Sequence, residues 1–227
     1  MTTRLADGVW QIPCRGVSVY LVEDGDDLTL VDAGTPWDAA KIESGVRDAG
    51  YTLSDIDRCL CTHYDMDHVG AYAKLQPDLR APIVAGEHTA AVLRGDRKPD
   101  AAGAKGFLTR HVSRRLVTLP DLPVESVADG DRAGSFVAFS TPGHTPGHTA
   151  FVSPDLGVAL LGDLVSGDDD GTLGRVPRFF DADRDQSAAS IRDLAERAPE
   201  FEIACMGHGS PLRDMGAEQL RRLAARV

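Results

Sequence analysis

The sequence predicts a mixed α/β fold, and three observations support this class. Short runs rich in β-branched residues alternate with helix-like segments in the first half of the chain. The second half repeats the strand-rich opening and closes with two helices around one further strand. The 227 residues suit one large domain and no Pro/Gly/Ser-rich linker divides them, so we expect a single domain over residues 1–227.

The first half begins with predicted strands at residues 8–12, 17–22 and 28–31, which Gly/Asp turns separate. Ile42 and Val46 are four residues apart, which predicts a helix over residues 37–49 that Gly50 ends. A strand at 56–62, a helix at 67–75 and a strand at 82–85 follow. Residues 87–115 are polar and irregular, and we expect helices and a loop that cover a pocket.

The second half contains predicted strands at residues 117–119, 135–140, 150–152 and 158–161. A helix at 186–197, a strand at 201–206 and a helix from Gly216 complete it. The order of elements is similar in the two halves, although no periodic sequence repeat is visible.

Four potential metal ligands lie within six residues after the predicted strand 56–62: His63, Asp65, Asp67 and His68. Imidazoles and carboxylates two residues apart on an extended loop can converge on one metal ion, and a further ligand can reach a neighbouring ion. With 7 His and 27 Asp in 227 residues, about 0.003 such H-x-D-x-D-H matches are expected by chance. The motif therefore indicates a metal site.

Three further candidate ligands also follow predicted strands. His144 lies in the rigid turn Thr-Pro-Gly-His-Thr-Pro-Gly-His, Asp163 follows Leu-Leu-Gly, and His208 follows Met-Gly. Strand ends of a layered α/β protein share an edge, where sites are commonly assembled. We therefore expect these residues to meet the first four.

This order of motifs resembles the metallo-β-lactamase superfamily, whose pattern is H-x-H-x-D-H, a G-H-T-P-G turn, G-D and then G-H. The resemblance covers nearly the whole chain and implies an αββα four-layer sandwich with a site for two divalent metal ions at one edge. It implies these ligands: His63, Asp65 and His144 for the first ion, Asp67, His68 and His208 for the second, and Asp163 between them. The second histidine of the turn, His148, is implied to support the site without binding metal.

Asp65 departs from the family pattern, which has histidine at this position. A carboxylate is a harder ligand than imidazole and adds negative charge, which favours iron or manganese more than an all-histidine site would and weakens Lewis acidity. Zinc accepts mixed N/O ligands and is the expected metal, with iron and manganese as alternatives. Whether one or two ions bind stays open for the same reason.

The reaction that we expect is hydrolysis by a metal-bound hydroxide, with Asp67 and Asp163 as the catalytic residues that fix the hydroxide and its ions. The substrate expected is a small ester, thioester or lactone, because the extra domains of glyoxalase II and of the long nuclease members do not fit in this chain. Three alternatives remain: a phosphodiesterase for tRNA precursors or short nucleic acids, a non-haem iron redox protein, and a member that has lost turnover.

Charge and composition limit the partners. The net charge is −11, with 27 Asp, 8 Glu, 20 Arg and 4 Lys, so the chain lacks a broad basic face for nucleic acid. Many Asp and few Lys are typical of proteins from salt-accumulating cells, and we favour this interpretation over a merely acidic mesophilic protein. No apolar stretch is long enough to cross a bilayer and no signal peptide is evident, so we expect a cytoplasmic protein without membrane contact.

Other notable residues carry ordinary expectations. The four cysteines lack C-x-x-C spacing and are predicted to be small buried hydrophobes: Cys14, Cys59, Cys61 and Cys205. His88 and His111 are expected to be surface or packing histidines. Arg175 and Arg178 are expected in a solvated loop, with contact to an anionic substrate as the alternative.

Overall fold

The computed structural model describes residues 1–99 and 116–227. Its first sheet has seven strands in chain order: β1 (Thr3–Ala6), β2 (Val9–Pro13), β3 (Ser18–Asp24), β4 (Asp27–Val31), β5 (Arg58–Cys61), β6 (Ile83–Gly86) and β7 (Val124–Val127). The pairs from β1 to β4 are antiparallel and those from β4 to β7 are parallel. Parallel neighbours need crossover connections, and helices lie in those connections.

The second sheet has the strand order β14-β11-β10-β9-β8. Its strands are β8 (Arg132–Ala133), β9 (Phe136–Ser140), β10 (Thr149–Ser153), β11 (Val158–Gly162) and β14 (Ile203–Met206). Only the pair β11 and β14 is parallel within it. A short hairpin of β12 (Ser166–Gly167) and β13 (Leu173–Gly174) follows β11.

Six helices in the described residues connect or flank these strands: α1 (Ala39–Asp48), α2 (Met66–Val69), α3 (Tyr72–Leu75), α4 (Glu87–Leu93), α5 (Arg184–Arg197) and α6 (Gly216–Ala224). Two 3-10 turns add to them, at Leu53–Asp55 and Arg178–Phe180. None of the helices in this part of the chain combines the length and the apolar character needed to span a bilayer.

Three clusters of buried apolar side chains define four layers. The first cluster lies between the first sheet and α1, α3 and α4, and includes Ile42. The second lies between the two sheets and includes Val22 from β3 and Phe151 from β10. The third packs the second sheet against α5 and α6 through Ile191 and Leu220. Each sheet is thus covered by helices on its outer face, and the αββα sandwich is confirmed.

The two sheets are also joined by hydrogen bonds at one edge. The Thr149 N–H donates to the carbonyl oxygen of Thr62 (2.9 Å), and the Ser18 N–H donates to that of Gly207 (2.8 Å). Strands β4, β5, β11 and β14 all end near these bonds, so the residues that follow them are brought to one place.

The structure differs from the sequence-based elements at several points. The predicted strand at 117–119 is wrong, because these residues are largely exposed and Val124–Val127 pairs with β6 instead. The predicted helix at 67–75 is two short helices, since the chain turns at Gly70 and Ala71. Of the helices and loop predicted over residues 87–115, the structure describes Glu87–Leu93 as a helix, and residues 100–115, with His111, lie outside the described residues. The sequence did not predict β1, β8 or the hairpin of β12 and β13.

Candidate metal centre

The loop after β5 and the helix α2 that follows it carry four of the seven predicted ligands. The buried strand ends at Cys61, the backbone stays extended to Asp65, and α2 begins at Met66. His63 and His68 are both completely buried, and their ring centroids lie 4.0 Å apart. The loop after β5 thus carries one imidazole and α2 carries the other, and the two rings lie side by side in the interior.

The first group of candidate ligands is His63, Asp65 and His144, whose ligand atoms all lie within 4.8 Å of one another. Asp65 Oδ2 is 3.6 Å from His63 Nε2 and 3.3 Å from His144 Nε2. All three residues are buried. The residue that departs from the family pattern therefore occupies the place of a ligand.

The second group is Asp67, His68 and His208, whose ligand atoms also lie within 4.8 Å of one another. Asp67 Oδ2 is 3.4 Å from His208 Nε2. The side chains of Asp67 and His208 are 34% and 37% exposed, so solvent reaches the centre from this side.

Asp163 lies between the two groups. Its Oδ1 is 3.3 Å from His68 Nε2, and its Oδ2 is 3.4 Å from His144 Nε2 and 3.2 Å from His208 Nε2. One buried carboxylate therefore contacts imidazoles of both groups.

The donor set fits divalent metal ions. His63 Nε2, His68 Nε2 and Asp163 Oδ1 are buried and make no hydrogen bond among the described residues, although they point towards a common centre. Buried polar atoms in proteins are almost always satisfied, so three such atoms in one place indicate a missing partner. Imidazole nitrogens and carboxylate oxygens are ligands of zinc, iron and manganese, and the site suits ions of this kind.

Comparison with known proteins agrees with this geometry. The family profile described as the metallo-beta-lactamase superfamily matches residues 12–208. The chain belongs to the metallo-β-lactamase superfamily. All seven candidate ligands lie within or at the end of the matched residues.

Three similar proteins show how far the likeness extends in sequence and in structure. The uncharacterized protein YobT of Bacillus subtilis is 30% identical, over 94% of this chain and 93% of its own. A hydroxyacylglutathione hydrolase of Fuscovulum blasticum is 31% identical over 87% of this chain, which spans 64% of that longer protein. The solved structure of TTHA1623 in a di-iron-bound form is 28% identical, has a TM-score of 0.68, and covers 93% of this chain and 95% of its own.

Asp32 is a residue of this site that the sequence interpretation missed. It follows β4, has a left-handed backbone (φ 59°), and is 3% exposed. Its Oδ2 is 2.8 Å from His68 Nδ1, and its carboxylate also accepts hydrogen bonds from the N–H and hydroxyl of Thr62. These contacts direct His68 Nε2 towards the centre, as carboxylates behind ligating histidines commonly do. The available signal was a charged residue directly after a buried strand, in Val-Asp-Ala-Gly.

His148 is buried beside the centre, with both ring nitrogens occupied. Its Nε2 accepts a hydrogen bond from the Asp163 N–H (3.1 Å), so in the neutral ring Nδ1 carries the proton and donates to Thr141 Oγ1 (2.8 Å). Burial and the neighbouring His63 lower the pKa of His148 well below its usual value, which keeps the ring neutral. This arrangement supports the expectation that His148 positions Asp163 and does not bind metal.

The titration of the ligands reflects burial and charge. Burial and the neighbouring His68 lower the pKa of His63 to about 4. Hydrogen bonds to Asp163 and Asp67 raise the pKa of His208 to about 10. Burial would raise the pKa of Asp163, but contacts with His68 and His208 hold it well below its usual range. Because a ligating imidazole must be deprotonated, a proton competes with a metal ion at His208.

The remaining expectations have mixed outcomes. Cys59, Cys61 and Cys205 are buried in the apolar clusters, as predicted. Cys14 was also predicted to be buried but is only partly so. Burial and the neighbouring Asp38 raise the pKa of its thiol to about 12, which keeps the thiol protonated at neutral pH. The prediction of a solvated loop was wrong for Arg175, whose side chain is only 19% exposed and contacts the buried Asp181.

Proposed function

We propose that this protein is a two-metal hydrolase that acts on a small ester, thioester or lactone. The observation that carries the proposal is the convergence of six histidine and aspartate side chains around Asp163, where three buried atoms lack a hydrogen bond among the described residues. The hydroxyacylglutathione hydrolase relative acts on a thioester, which favours that member of the substrate class.

The two groups of side chains would each hold one divalent ion. His63, Asp65 and His144 would hold the first ion, Asp67, His68 and His208 the second, and Asp163 would contact both. When bound, two such ions lower the pKa of a water molecule and polarise the bond that is attacked. Asp163 is buried between three imidazoles, so it fixes the spacing of the two groups.

Asp67 is the carboxylate that can reach the reacting molecules. It lies on the open side of the centre, and burial, which would raise its pKa, is outweighed by the hydrogen bond to His208, so its pKa is lowered. The ionised carboxylate can accept a hydrogen bond from the attacking water and orient a lone pair of that water towards the carbonyl carbon. Water at the same open side can give the leaving oxygen or sulfur its proton.

Exposure also sets the direction of approach. The side chains of the first group are at most 10% exposed, whereas those of Asp67 and His208 are about one-third exposed. The substrate would therefore enter over the second group, and its scissile bond would meet the water there. The net charge of −11 disfavours long nucleic acids as substrates, because they are gathered by a broad basic face.

A non-haem iron protein is the second candidate, and Asp65 is the observation that favours it. A carboxylate in place of an imidazole suits iron better than an all-histidine site. The relative TTHA1623 has been solved in a di-iron-bound form, which supports the same alternative. Zinc remains the metal that we propose, and the metal content of the protein separates the two candidates.

The test is metal analysis of the purified protein, followed by hydrolysis assays with thioesters, lactones, esters, β-lactams and phosphodiesters. We expect close to two zinc ions per chain and turnover of one of the first three classes. Asp67→Asn should lower kcat at least about 100-fold, because the water loses its orienting carboxylate.

Asp170→Asn is the matched control. It also converts an aspartate to asparagine, but Asp170 is exposed and its carboxylate accepts hydrogen bonds from the N–H and hydroxyl of Thr172. Its kcat should stay within about twofold of the parent protein. Iron as the only bound metal, or absence of turnover on every class with two zinc ions bound, would refute the hydrolase proposal.

A further inference from the structure

A second carboxylate, Asp181, lies behind His144 on the side away from the centre. The side chain of Asp181 is completely buried, and its Oδ1 is 3.7 Å from His144 Nδ1. This oxygen has no hydrogen-bond partner among the described residues. Because a separation of 3.7 Å leaves no room for a water molecule between the two atoms, the imidazole is the group that Oδ1 faces.

The segment that carries Asp181 is fixed to the backbone around His144. The Ala182 N–H donates to the carbonyl oxygen of His144 (3.2 Å), and the Asp183 N–H donates to that of Gly143 (2.8 Å). Gly143 has φ 135°, and a Cβ there would lie 2.2 Å from the backbone nitrogen of Ser187 in α5. The turn can therefore pack directly onto the start of α5, which holds His144 and Asp181 in a set relation.

Two arginines compensate the charge of the buried carboxylate. Arg184 Nη1 is 3.2 Å and Arg175 Nη2 is 3.8 Å from Asp181 Oδ2, while Arg175 Nη2 also donates to the Arg184 carbonyl oxygen. A buried charge without such partners would be strongly unfavourable. The arginines occupy Oδ2, which leaves Oδ1 directed at the imidazole.

From this geometry we infer that Asp181 is a positioning residue for His144. Its negative charge attracts the Nδ1–H of the neutral imidazole, which favours the tautomer with an unprotonated Nε2 and keeps that nitrogen directed towards Asp65 and Asp163. A carboxylate behind a ligating imidazole also makes the ring a stronger donor. The inference rests on the proposed function only in that His144 is taken as a metal ligand.

The effect should be larger here than in a site with three histidines. The first group has two imidazoles, His63 and His144, because Asp65 occupies the third position. Loss of orientation at His144 therefore weakens one of only two nitrogen donors. We expect the first ion, and not the second, to depend on Asp181.

The experiment compares Asp181→Ala and Asp181→Asn with the parent protein by chelator competition with zinc and by the visible absorption spectrum of the cobalt-loaded protein. Asp181→Ala should weaken the first ion about 10- to 100-fold and change the cobalt spectrum, with the second ion retained. Asp181→Asn keeps an oxygen acceptor and should fall between Asp181→Ala and the parent. Neither readout requires turnover, so failure of the proposed substrate class leaves this test intact.

Asp183→Ala is the matched control for damage to the same loop. Asp183 caps α5, because its Oδ1 accepts hydrogen bonds from the N–H groups of Asp185 and Gln186. This variant should melt at a lower temperature but bind both ions within about threefold of the parent. Equal loss of metal in Asp183→Ala and Asp181→Ala, or parental zinc affinity in Asp181→Ala, would overturn the inference. A parent protein that binds no divalent ion would instead refute the proposed function.

Discussion

Asp65 is the residue at which this centre differs most from the family pattern. Its Oδ2 lies 3.6 Å from His63 Nε2 and 3.3 Å from His144 Nε2, so a carboxylate oxygen stands where the family pattern has an imidazole nitrogen. An anionic oxygen ligand shifts the preference of a site towards harder ions. The choice of metal should therefore depend on this single side chain.

Asp65→His is expected to raise the affinity for zinc relative to manganese at least about tenfold, because an imidazole replaces the hard ligand. The measurement is chelator competition with each metal in turn. Asp65→Asn serves as the control, since it removes the charge without adding an imidazole and should weaken both metals. A zinc-to-manganese ratio that is unchanged in Asp65→His would contradict the argument.

At this scale the sequence predicted the side chains that come together at the centre and missed the residues behind them. His63, Asp67 and His68 stand in a compact motif that chance does not produce, and the structure brings them together with the other candidates. Asp32 and Asp181 are single aspartates among 27, far from the motif in sequence. Their contacts with the imidazoles arise only when distant segments pack, so spacing alone carries no trace of them.

At the scale of elements, the end of β14 shows how closely a strand must approach the centre. A Cβ on Gly207 would lie 2.1 Å from Asp163 Oδ1 and 2.6 Å from His68 Cε1. The backbone at this position has no left-handed conformation, so the need for glycine comes from space alone. The Met-Gly-His sequence thus allows β14 to deliver His208 while it passes over two other ligands.

Gly207→Ala is expected to weaken metal binding about tenfold or more, because the new methyl group displaces Asp163 and His68. The measurement is bound metal per chain after dialysis against a weak chelator. Gly174→Ala is the control, since its added Cβ would lie 3.4 Å from Asp168 Oδ2 and 3.7 Å from Ser166 Oγ, which are ordinary contacts. If Gly207→Ala retained the parental metal content, the claim that metal binding requires glycine at this position would be wrong.

Elements were predicted well where a short apolar run was bounded by turn residues, as for β4 and β11. The error at residues 117–119 has a simple cause, because two apolar residues around a threonine fit a strand pattern but stay largely exposed. The strand that pairs with β6 is Val124–Val127, and not residues 117–119. A single sequence does not indicate which of two neighbouring segments will form the hydrogen bonds with the adjacent strand.

For the whole molecule, the alternation of strand and helix patterns predicted an α/β fold, and the αββα sandwich was implied by the resemblance of the motif order to the superfamily. The extent of a single domain over residues 1–227 remains a prediction. The surface is a separate matter, since neither the fold nor the site explains the excess of aspartate over lysine.

Exposed ion pairs and net charge respond to salt in opposite directions. The exposed pairs include Arg197 with Asp129 and Arg221 with Glu200. Each such pair contributes little to stability, and salt weakens it further. Because the net charge is −11, the repulsion among carboxylates exceeds the attraction within these ion pairs. Salt should therefore relieve more repulsion than it removes attraction.

We expect the melting temperature to rise by at least about 4 °C between 0.01 M and 1 M KCl, which corresponds to about 1 kcal/mol or more for a domain of this size. The Debye length falls from about 30 Å to about 3 Å over this range, so repulsion across the domain is almost fully screened at the upper end. Scanning calorimetry at 0.01, 0.1, 1 and 3 M KCl measures the effect, and a further rise beyond 1 M would point to hydrated carboxylates as a second contribution.

The control is a variant with four exposed aspartates changed to asparagine (Asp26, Asp78, Asp155 and Asp214), which should show a smaller rise because four negative charges are gone. A melting temperature that is flat or falling from 0.01 M to 1 M would show that the acidic surface is incidental to stability, and the interpretation of the composition as an adaptation to salt would then be wrong.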